Sequence, residues 1–385
     1  MNTSHQIQNE KVGSTQSKER LRTFDFLRGL AILSVIAFHA SLSFPSKIIF
    51  IDTTFSFGAK GVQLFYFISA LTMCYMWKQR EGEKNPIKNF YIRRFFRIAP
   101  LFWLAIPIYL FVYGFKASYW APEGLGIKQI LLTATFLHGF WPDSINSVVP
   151  GGWSIAVEMT FYALFPLLIT RIKDNKNIYL YAAAVVWAFN ILFFRDFLLV
   201  FLSTHYTTVS TTIQQDYLYM NFINQAPIFL LGCYMFFALQ SKVKLNEIVF
   251  IVAWTAFALA LKVLYKFDGS LFAVVYTMLG IFVFTCIKLN VRFKPFELLG
   301  KKSYSIYLTH FLVIHFLQKI LPIKNGPLAL LLGIIFTTLI SYLLSMITYV
   351  LIEKKIETFV KHITQSKPSQ YSEQDIKSVK IYNNI

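Results

Sequence analysis

The sequence predicts an all-α polytopic membrane protein with about ten transmembrane helices and both termini cytoplasmic. Three observations predict it. Of the 385 residues, 56% are hydrophobic and only 15% are charged, where a soluble domain carries roughly 25% charged residues. Apolar stretches approaching the roughly 20 residues that a spanning helix needs recur along the chain. Lysine and arginine alternate between successive connecting segments, dense on one side and sparse on the other, and that asymmetry sets orientation in a bilayer.

The stretches lie near 24–43, 59–77, 98–115, 152–170, 178–199, 223–240, 247–264, 270–287, 303–320 and 327–352. A polar segment, 1–22, precedes the first and holds Lys11, Lys18, Arg20 and Arg22. It contains no apolar core of a signal peptide, so no cleavable leader is expected. The connection after the first span holds only Lys47, whereas 78–97 holds Lys78, Arg80, Lys84, Lys88, Arg93, Arg94 and Arg97. Arg171, Lys173 and Lys176 follow the fourth span, Lys242 and Lys244 the sixth, and Lys288, Arg292, Lys294, Lys301 and Lys302 the eighth. Roughly 27 of the 37 basic residues fall on the side of the termini and about 9 on the other, which assigns the termini to the cytoplasm. The segment 126–141 is apolar but short, ends in Phe140-Trp141-Pro142, and reads as interfacial or re-entrant. Were it to span, every later loop would change sides and the bias would invert.

Residues 23–357 thus form one membrane-embedded domain, and 358–385 read as a cytoplasmic, disordered tail rich in Ser, Gln, Lys and Asn. The net charge of +18 follows from the cytoplasmic loops and calls for no nucleic acid. Cys74, Cys233 and Cys286 sit inside apolar runs, which excludes a disulfide framework. No metal is expected: the seven histidines include no pair at ligand spacing in a polar setting, and His310 and His315 fall on different helix faces.

Charged side chains inside spans cost about 2.5–3.5 kcal/mol each on insertion scales and are functional suspects. In the first span Asp25, Arg28 and His39 stand out. Arg28 and His39 are eleven residues apart, three turns plus roughly 20°, so they share a face about 16 Å apart along the axis. A snorkelling arginine and a hydrogen-bonded histidine are the plain alternative. Arg94 and Arg97 share a face at the mouth of the third span. Paired guanidiniums suit phosphate, although topology and anionic lipid also favour arginine there. Glu158 lies in the fourth span behind Trp153 and Ser154, with Tyr162 one turn on. Its alternative is a structural ion pair. Tyr307 and His310 sit in the ninth span, where polar groups also serve to join helices.

Together these motifs resemble the acyltransferase-3 family of bacterial membrane O-acyltransferases, over about 22–357. The marks are the Arg28-to-His39 spacing after Asp25, Arg94 and Arg97 before Ile98-Ala99-Pro100, Trp153-Ser154 with Glu158 and Phe161-Tyr162, and the run from Ser303 to His310. The resemblance implies an acyl-CoA co-substrate, by default acetyl-CoA, used from the cytoplasm, with no permanently bound cofactor. It implies an acceptor hydroxyl on a cell-surface or lipid-linked glycan, and a multi-pass protein of the inner (cytoplasmic) membrane. His39 matches the helix 1 histidine regarded as catalytic, Arg28 its partner, and Arg94 and Arg97 the double-arginine motif. Two positions depart: Ser69-Ala70 stands where the family often has Ser-Gly, and Lys355 where a proline often follows Glu-Lys. The first puts close helix packing in doubt. Some members carry an outer esterase-like domain. None is seen in this sequence, so the expectation is that the membrane domain finishes the transfer or passes the acyl group to a partner.

On this reading Arg94 and Arg97 hold the nucleotide phosphates, Arg28 lines the path of the pantetheine arm, and His39 is general base toward the acceptor hydroxyl. Glu158 is expected to orient His39 or stabilise its charged form. A covalent acyl-histidine relay is a variant. Aromatic residues in the outer segments, including Tyr119, Trp120, Trp141, Tyr206, Tyr217 and Tyr219, suit either a glycan platform or a lipid interface. The competing function is a transporter or flippase that uses the intramembrane Arg, His and Glu as a substrate or proton pathway, although neither internal repeats nor helices broken in matching halves are seen. The sequence assigns no oligomeric state.

Overall fold

The computed structural model describes residues 2–172, 175–266 and 268–364. Ten long helices form the bundle: α1 (Asn2–Ser43), α2 (Gly61–Lys78), α3 (Pro86–Tyr113), α4 (Gly152–Ile172), α5 (Lys176–Phe189), α6 (Phe222–Ala238), α7 (Leu245–Tyr265), α8 (Leu271–Lys288), α9 (Ser303–Ile320) and α10 (Pro327–Thr348). Among the described residues there is no strand, only an isolated bridge between Ser118 and Ala121. Nine helical stretches among the described residues are long and apolar enough to cross a membrane. The helix outside that set is α9, whose polar face is buried in the bundle: Ser303, Ser305 and His310 are all shielded from solvent. The ten-helix reading therefore holds, with α9 qualifying by its packing and not by its hydropathy.

Contacts between the connections sort the helix ends into two groups. Arg22 at the start of the apolar part of α1 pairs with Glu297 between α8 and α9, at 2.9 Å. Phe96, just before the apolar part of α3, meets Phe359 after α10, ring centroids 5.6 Å apart. Lys176 after α4 donates to the Lys242 carbonyl after α6. These ends carry the basic loops and are called the basic end. At the opposite end Gly326 N–H donates to the Pro45 carbonyl, and Tyr119 donates to Asp216.

The segment 126–141 does not span. It forms one short helix, Ile127–Ala134, then a 3₁₀ turn, Leu137–Phe140, tucked against α4. His138 Nε2 lies 3.0 Å from the Gly152 carbonyl and anchors that turn. Helix α3 begins twelve residues before the predicted span, with Pro86 in its first turn, because a proline there needs no N–H partner. Arg93, Arg94 and Arg97 therefore ride on a continuous helix and not on a loop. Helix α5 runs through a π-turn, Asn190–Phe194, into a further helix, Arg195–His205. At that turn buried Asn190 donates to Asn224 of α6. After α10 a second π-turn leads into Lys354–Thr364, so 358–364 is helical and not a disordered tail. Lys173 and the remainder of that tail, 365–385, lie outside the described residues.

Helix α6 is the centre: it is buried without a break from Asn224 to Ala238, whereas α7 buries only Glu247, Trp254 and Ala258, which places α7 on the rim. Two close crossings fix the helices that carry the motifs. A Cβ added at Gly232 of α6 would stand 2.5 Å from the Phe67 carbonyl and 2.8 Å from Ala70 Cβ of α2. The small residue absent from the Ser69-Ala70 pair is thus supplied by Gly232 of the facing helix. At the basic end the short helix Lys294–Lys301 lies across α1. A Cβ at Gly29 would meet the Phe296 carbonyl at 1.9 Å, and one at Gly300 the Asp25 carbonyl at 1.8 Å. Only glycine allows backbones this close.

Candidate active site

The Gly29–Gly300 crossing sets the α1 turn that presents Asp25 and Arg28. Arg28 donates through Nη1 to Asp25 (3.1 Å) and through Nη2 to the Thr72 hydroxyl of α2 (2.7 Å). With both ends of its fork held, Arg28 points into a cavity of about 360 Å³ inside the bundle. The cavity runs from Met76 and Arg97 near the basic end to Phe65 and Tyr307 at its deep end. Arg94 lines it with its guanidinium carbon 5.7 Å from the ring centroids of both Phe90 and Tyr162. Its Nε is buried without a hydrogen-bond partner among the described residues. Arg97 lines the same space and stays exposed toward the mouth. Neighbouring Arg93 is taken up by an ion pair with Glu83 and does not line the cavity.

Glu158 faces these arginines from α4 and is the only acidic side chain among the lining residues. Its Oε1 accepts from Ser69 at 2.6 Å and from Tyr162 at 2.5 Å. These two donors take the place of the expected link to His39; no hydrogen bond joins Glu158 and His39 among the described residues. Counting Asp25 behind Arg28, three guanidiniums face two carboxylates. The surplus is positive, and one guanidinium still has a donor to offer, so the cavity suits an anion.

The deep end is closed by a second cluster. Tyr307 stands 6.4 Å, ring to ring, from Phe65. Ser154 donates to the Tyr307 hydroxyl at 2.7 Å, and that hydroxyl donates to the Gly151 carbonyl at 3.0 Å. Trp153 stands behind this layer, edge-on to Tyr66 and 5.7 Å from the Tyr219 ring. Beyond Tyr307 lies His310, fully buried, with Nδ1 2.6 Å from the Tyr307 carbonyl and Nε2 unpartnered among the described residues. His39 follows, ring centroids 5.3 Å from His310 and 4.4 Å from Phe311.

The predicted residues therefore fall into two linked groups. Arg28, Arg94, Arg97, Ser154, Glu158, Tyr162 and Tyr307 line one cavity; Asp25 and Trp153 brace it from behind. His39 and His310 form a histidine pair on the far side of Tyr307. Sequence reasoning missed Ser69, Thr72 and Tyr304 as lining residues, and Gly29 and Gly300 as the crossing. A small hydroxyl residue in an apolar helix gives no signal until its partner is known. Ser69 and Thr72 are one turn apart on α2, and that spacing was the available hint.

Fold and cavity define an integral membrane protein with a cationic site inside its helical bundle. The family model described as an acyltransferase domain matches residues 21–346, and the chain belongs to that acyltransferase-3 family. It is 24% identical over 349 residues to the peptidoglycan O-acetyltransferase OatA of Listeria monocytogenes, a match that covers 80% of this chain and 52% of that protein. Against the O-acetyltransferase OatA of Staphylococcus aureus it is 25% identical over 340 residues, covering 78% and 52%. A shorter match, 32% over 113 residues, joins it to the exopolysaccharide production protein ExoZ of Rhizobium meliloti, covering 29% and 34%. The chain spans about half the length of the OatA relatives. No solved structure matches.

Proposed function

We propose that this protein moves an acyl group, by default acetyl, from acyl-CoA at the basic, cytoplasmic end to a hydroxyl of a cell-surface glycan. It would do so in the inner (cytoplasmic) membrane. The observation that carries this is the convergence of Arg28, Arg94 and Arg97 on one intramembrane cavity whose deep end abuts the His39–His310 pair. The relatives' names support the acceptor class, since they place O-acetylation on peptidoglycan and another family relative in exopolysaccharide production.

In this scheme Arg94 and Arg97 bind the nucleotide phosphates, and Arg28, locked by Asp25 and Thr72, lines the way inward. The pantetheine arm extends toward Tyr307. His39 removes the proton from the acceptor hydroxyl as that oxygen attacks the thioester carbonyl carbon. The carbon–sulfur bond breaks, coenzyme A leaves as thiolate, and the proton held by His39 returns to the sulfur. Tyr307 stands between the arginine cavity and the histidines, so its ring must move for donor and acceptor to meet. Glu158 acts on the arginine side, where it fixes Tyr162 and Ser69 and balances part of the positive charge.

The test is transfer of label from radiolabelled acetyl-CoA to extracted surface glycans by the chain in membranes, beside His39→Ala and Arg94→Ala/Arg97→Ala. Label reaching glycan with wild type, abolished by His39→Ala, and a raised KM for acetyl-CoA in the double variant are expected. Full transfer by His39→Ala would refute the role given to that residue. Passage of an unmodified solute with no acyl transfer would favour a transporter.

A further inference from the structure

At the end of the bundle opposite the mouth of the arginine cavity, Lys60 closes the turn Phe57–Lys60 that leads into α2. Its ammonium lies 5.1 Å from the Tyr219 ring centroid and 5.0 Å from that of Phe272. No carboxylate pairs with it among the described residues. One turn on, Gln63 is fully buried. Its Nε2 donates to the Tyr219 hydroxyl and to Gln225 Oε1, both at 3.0 Å, and its Oε1 has no partner. The cluster is therefore incomplete in two complementary ways: it lacks an anion for a cation and a donor for a buried oxygen. The ring faces offset part of the cost of holding an ammonium in an apolar setting, and Gln63 gains nothing from them.

Its position is fixed. A Cβ at Gly58 would stand 2.3 Å from the Ser34 carbonyl, and one at Gly61 2.6 Å from that of Ala31, so this segment lies directly on α1. Ser34 is about 7.5 Å along the axis from His39. The turn that carries Lys60 thus lies on the stretch of α1 between Arg28 and His39, and the Lys60 side chain reaches from it toward Tyr219 and Phe272.

We propose that Lys60 and Gln63 form an acceptor subsite for an acidic sugar, a deepening that rests on the transfer reaction proposed above. The sugar carboxylate accepts from the Lys60 ammonium, and a ring hydroxyl donates to Gln63 Oε1. Tyr219, half-buried and tethered by Gln63, turns aside to admit it, and its ring offers a face for the sugar. An acidic glycan supplies both missing partners at once, and a neutral one supplies only the hydroxyl.

The test uses wild type, Lys60→Met and Lys60→Arg in phosphatidylcholine proteoliposomes with radiolabelled acetyl-CoA. Surface glycans are split by anion exchange into acidic and neutral pools of equal sugar content. Wild type is expected to label the acidic pool preferentially. Lys60→Met should raise the KM for that pool about ten-fold or more, the scale of one charge-assisted hydrogen bond. Neutral-pool labelling and acceptor-free acetyl-CoA hydrolysis should be unchanged, and Lys60→Arg should keep the preference. No preference in wild type, or no change in Lys60→Met, overturns the subsite. An equal loss of hydrolysis marks Lys60 as structural and also overturns it. Inhibition of wild type but not of Lys60→Met by added phosphatidylglycerol assigns the anion to a lipid headgroup and overturns the sugar. Label in neither pool overturns the transfer reading itself.

Discussion

Replacing Gly29 by alanine tests whether the crossing at the basic end builds the arginine site. The new Cβ would stand 1.9 Å from the Phe296 carbonyl oxygen and 2.6 Å from its carbon. A carbon and an oxygen settle at about 3.3 Å, so the two backbones must part by about 1 Å or more. Overpacking costs about 1–3 kcal/mol, and the upper part of that range applies, because a backbone carbonyl cannot swing aside as a side chain can. Alanine returns about 1 kcal/mol of helix propensity, which leaves a net loss near 2 kcal/mol. The displacement also loosens the Arg22–Glu297 pair and the Asp25–Arg28 turn. Gly280 of α8 is the matched control: its added Cβ would touch only the Phe67 ring at 3.8 Å, an ordinary contact, so Gly280→Ala should be neutral or stabilising. Cys74, Cys233 and Cys286 are buried, so a thiol-reactive fluorophore in a thermal ramp reports unfolding in detergent. Gly29→Ala should melt several degrees below wild type and Gly280→Ala at or above it. Equal melting of the two variants, with acyl transfer intact, would refute the argument.

Three further outcomes are expected. Arg94→Lys should raise the KM for acyl-CoA about ten-fold with a smaller change in kcat, because an ammonium cannot reproduce a planar fork held between Phe90 and Tyr162; unchanged steady-state kinetics would contradict this. Ser69→Ala and Tyr162→Phe each remove one donor to Glu158 and should each cost about 1–3 kcal/mol, with the double variant departing from additivity in thermal unfolding. His138, in the turn before α4, is pushed down to about 4 by burial. An unfolded histidine titrates near 6.5, so between these values the unfolded chain binds the extra proton. Stability is therefore full above about pH 6.5 and falls as pH drops toward 4, by on the order of 3 kcal/mol. Melting at pH 7.5 and pH 5 should show the loss in wild type and a smaller one in His138→Gln; parallel shifts would exclude His138 as its source.

The bundle was legible because membrane helices declare themselves through run length and loop charge. Segment 126–141 was excluded by its shortness together with the charge bias, and its short helix and turn agree. The early start of α3 was hidden because Lys88, Arg93, Arg94 and Arg97 lower the apolarity of a helix that continues past the apolar run. In the site, Arg28, Arg94, Arg97 and Glu158 were each visible as a charge out of place, and they share a cavity. Partnership was not visible. Glu158 was assigned to His39 because carboxylate–histidine pairs are common, yet its donors are Ser69 and Tyr162, two hydroxyls of a kind that also occurs throughout structural helix contacts. Gly29 and Gly300 lie 271 residues apart, and no local pattern links two backbones that meet only in the folded bundle.

The polar character of α9 bears on how the chain is made. Ser303–Ile320 falls outside the set of helices apolar enough to cross on their own, and its buried Ser305 and His310 have no place in lipid. A translocon that releases each helix as it emerges would have little reason to retain this one. The connection to α10, residues 321–326, is short, and the two helices pack together. They should therefore enter the bilayer as a hairpin, α9 drawn in by α10. In a nascent-chain series with a glycosylation reporter, a chain ended after Ile320 should leave α9 unintegrated, and one extended through Thr348 should restore it. The segment bearing Tyr307 and His310 would then be among the last parts of the protein to reach the membrane, so the candidate site closes only when synthesis of the bundle is nearly finished.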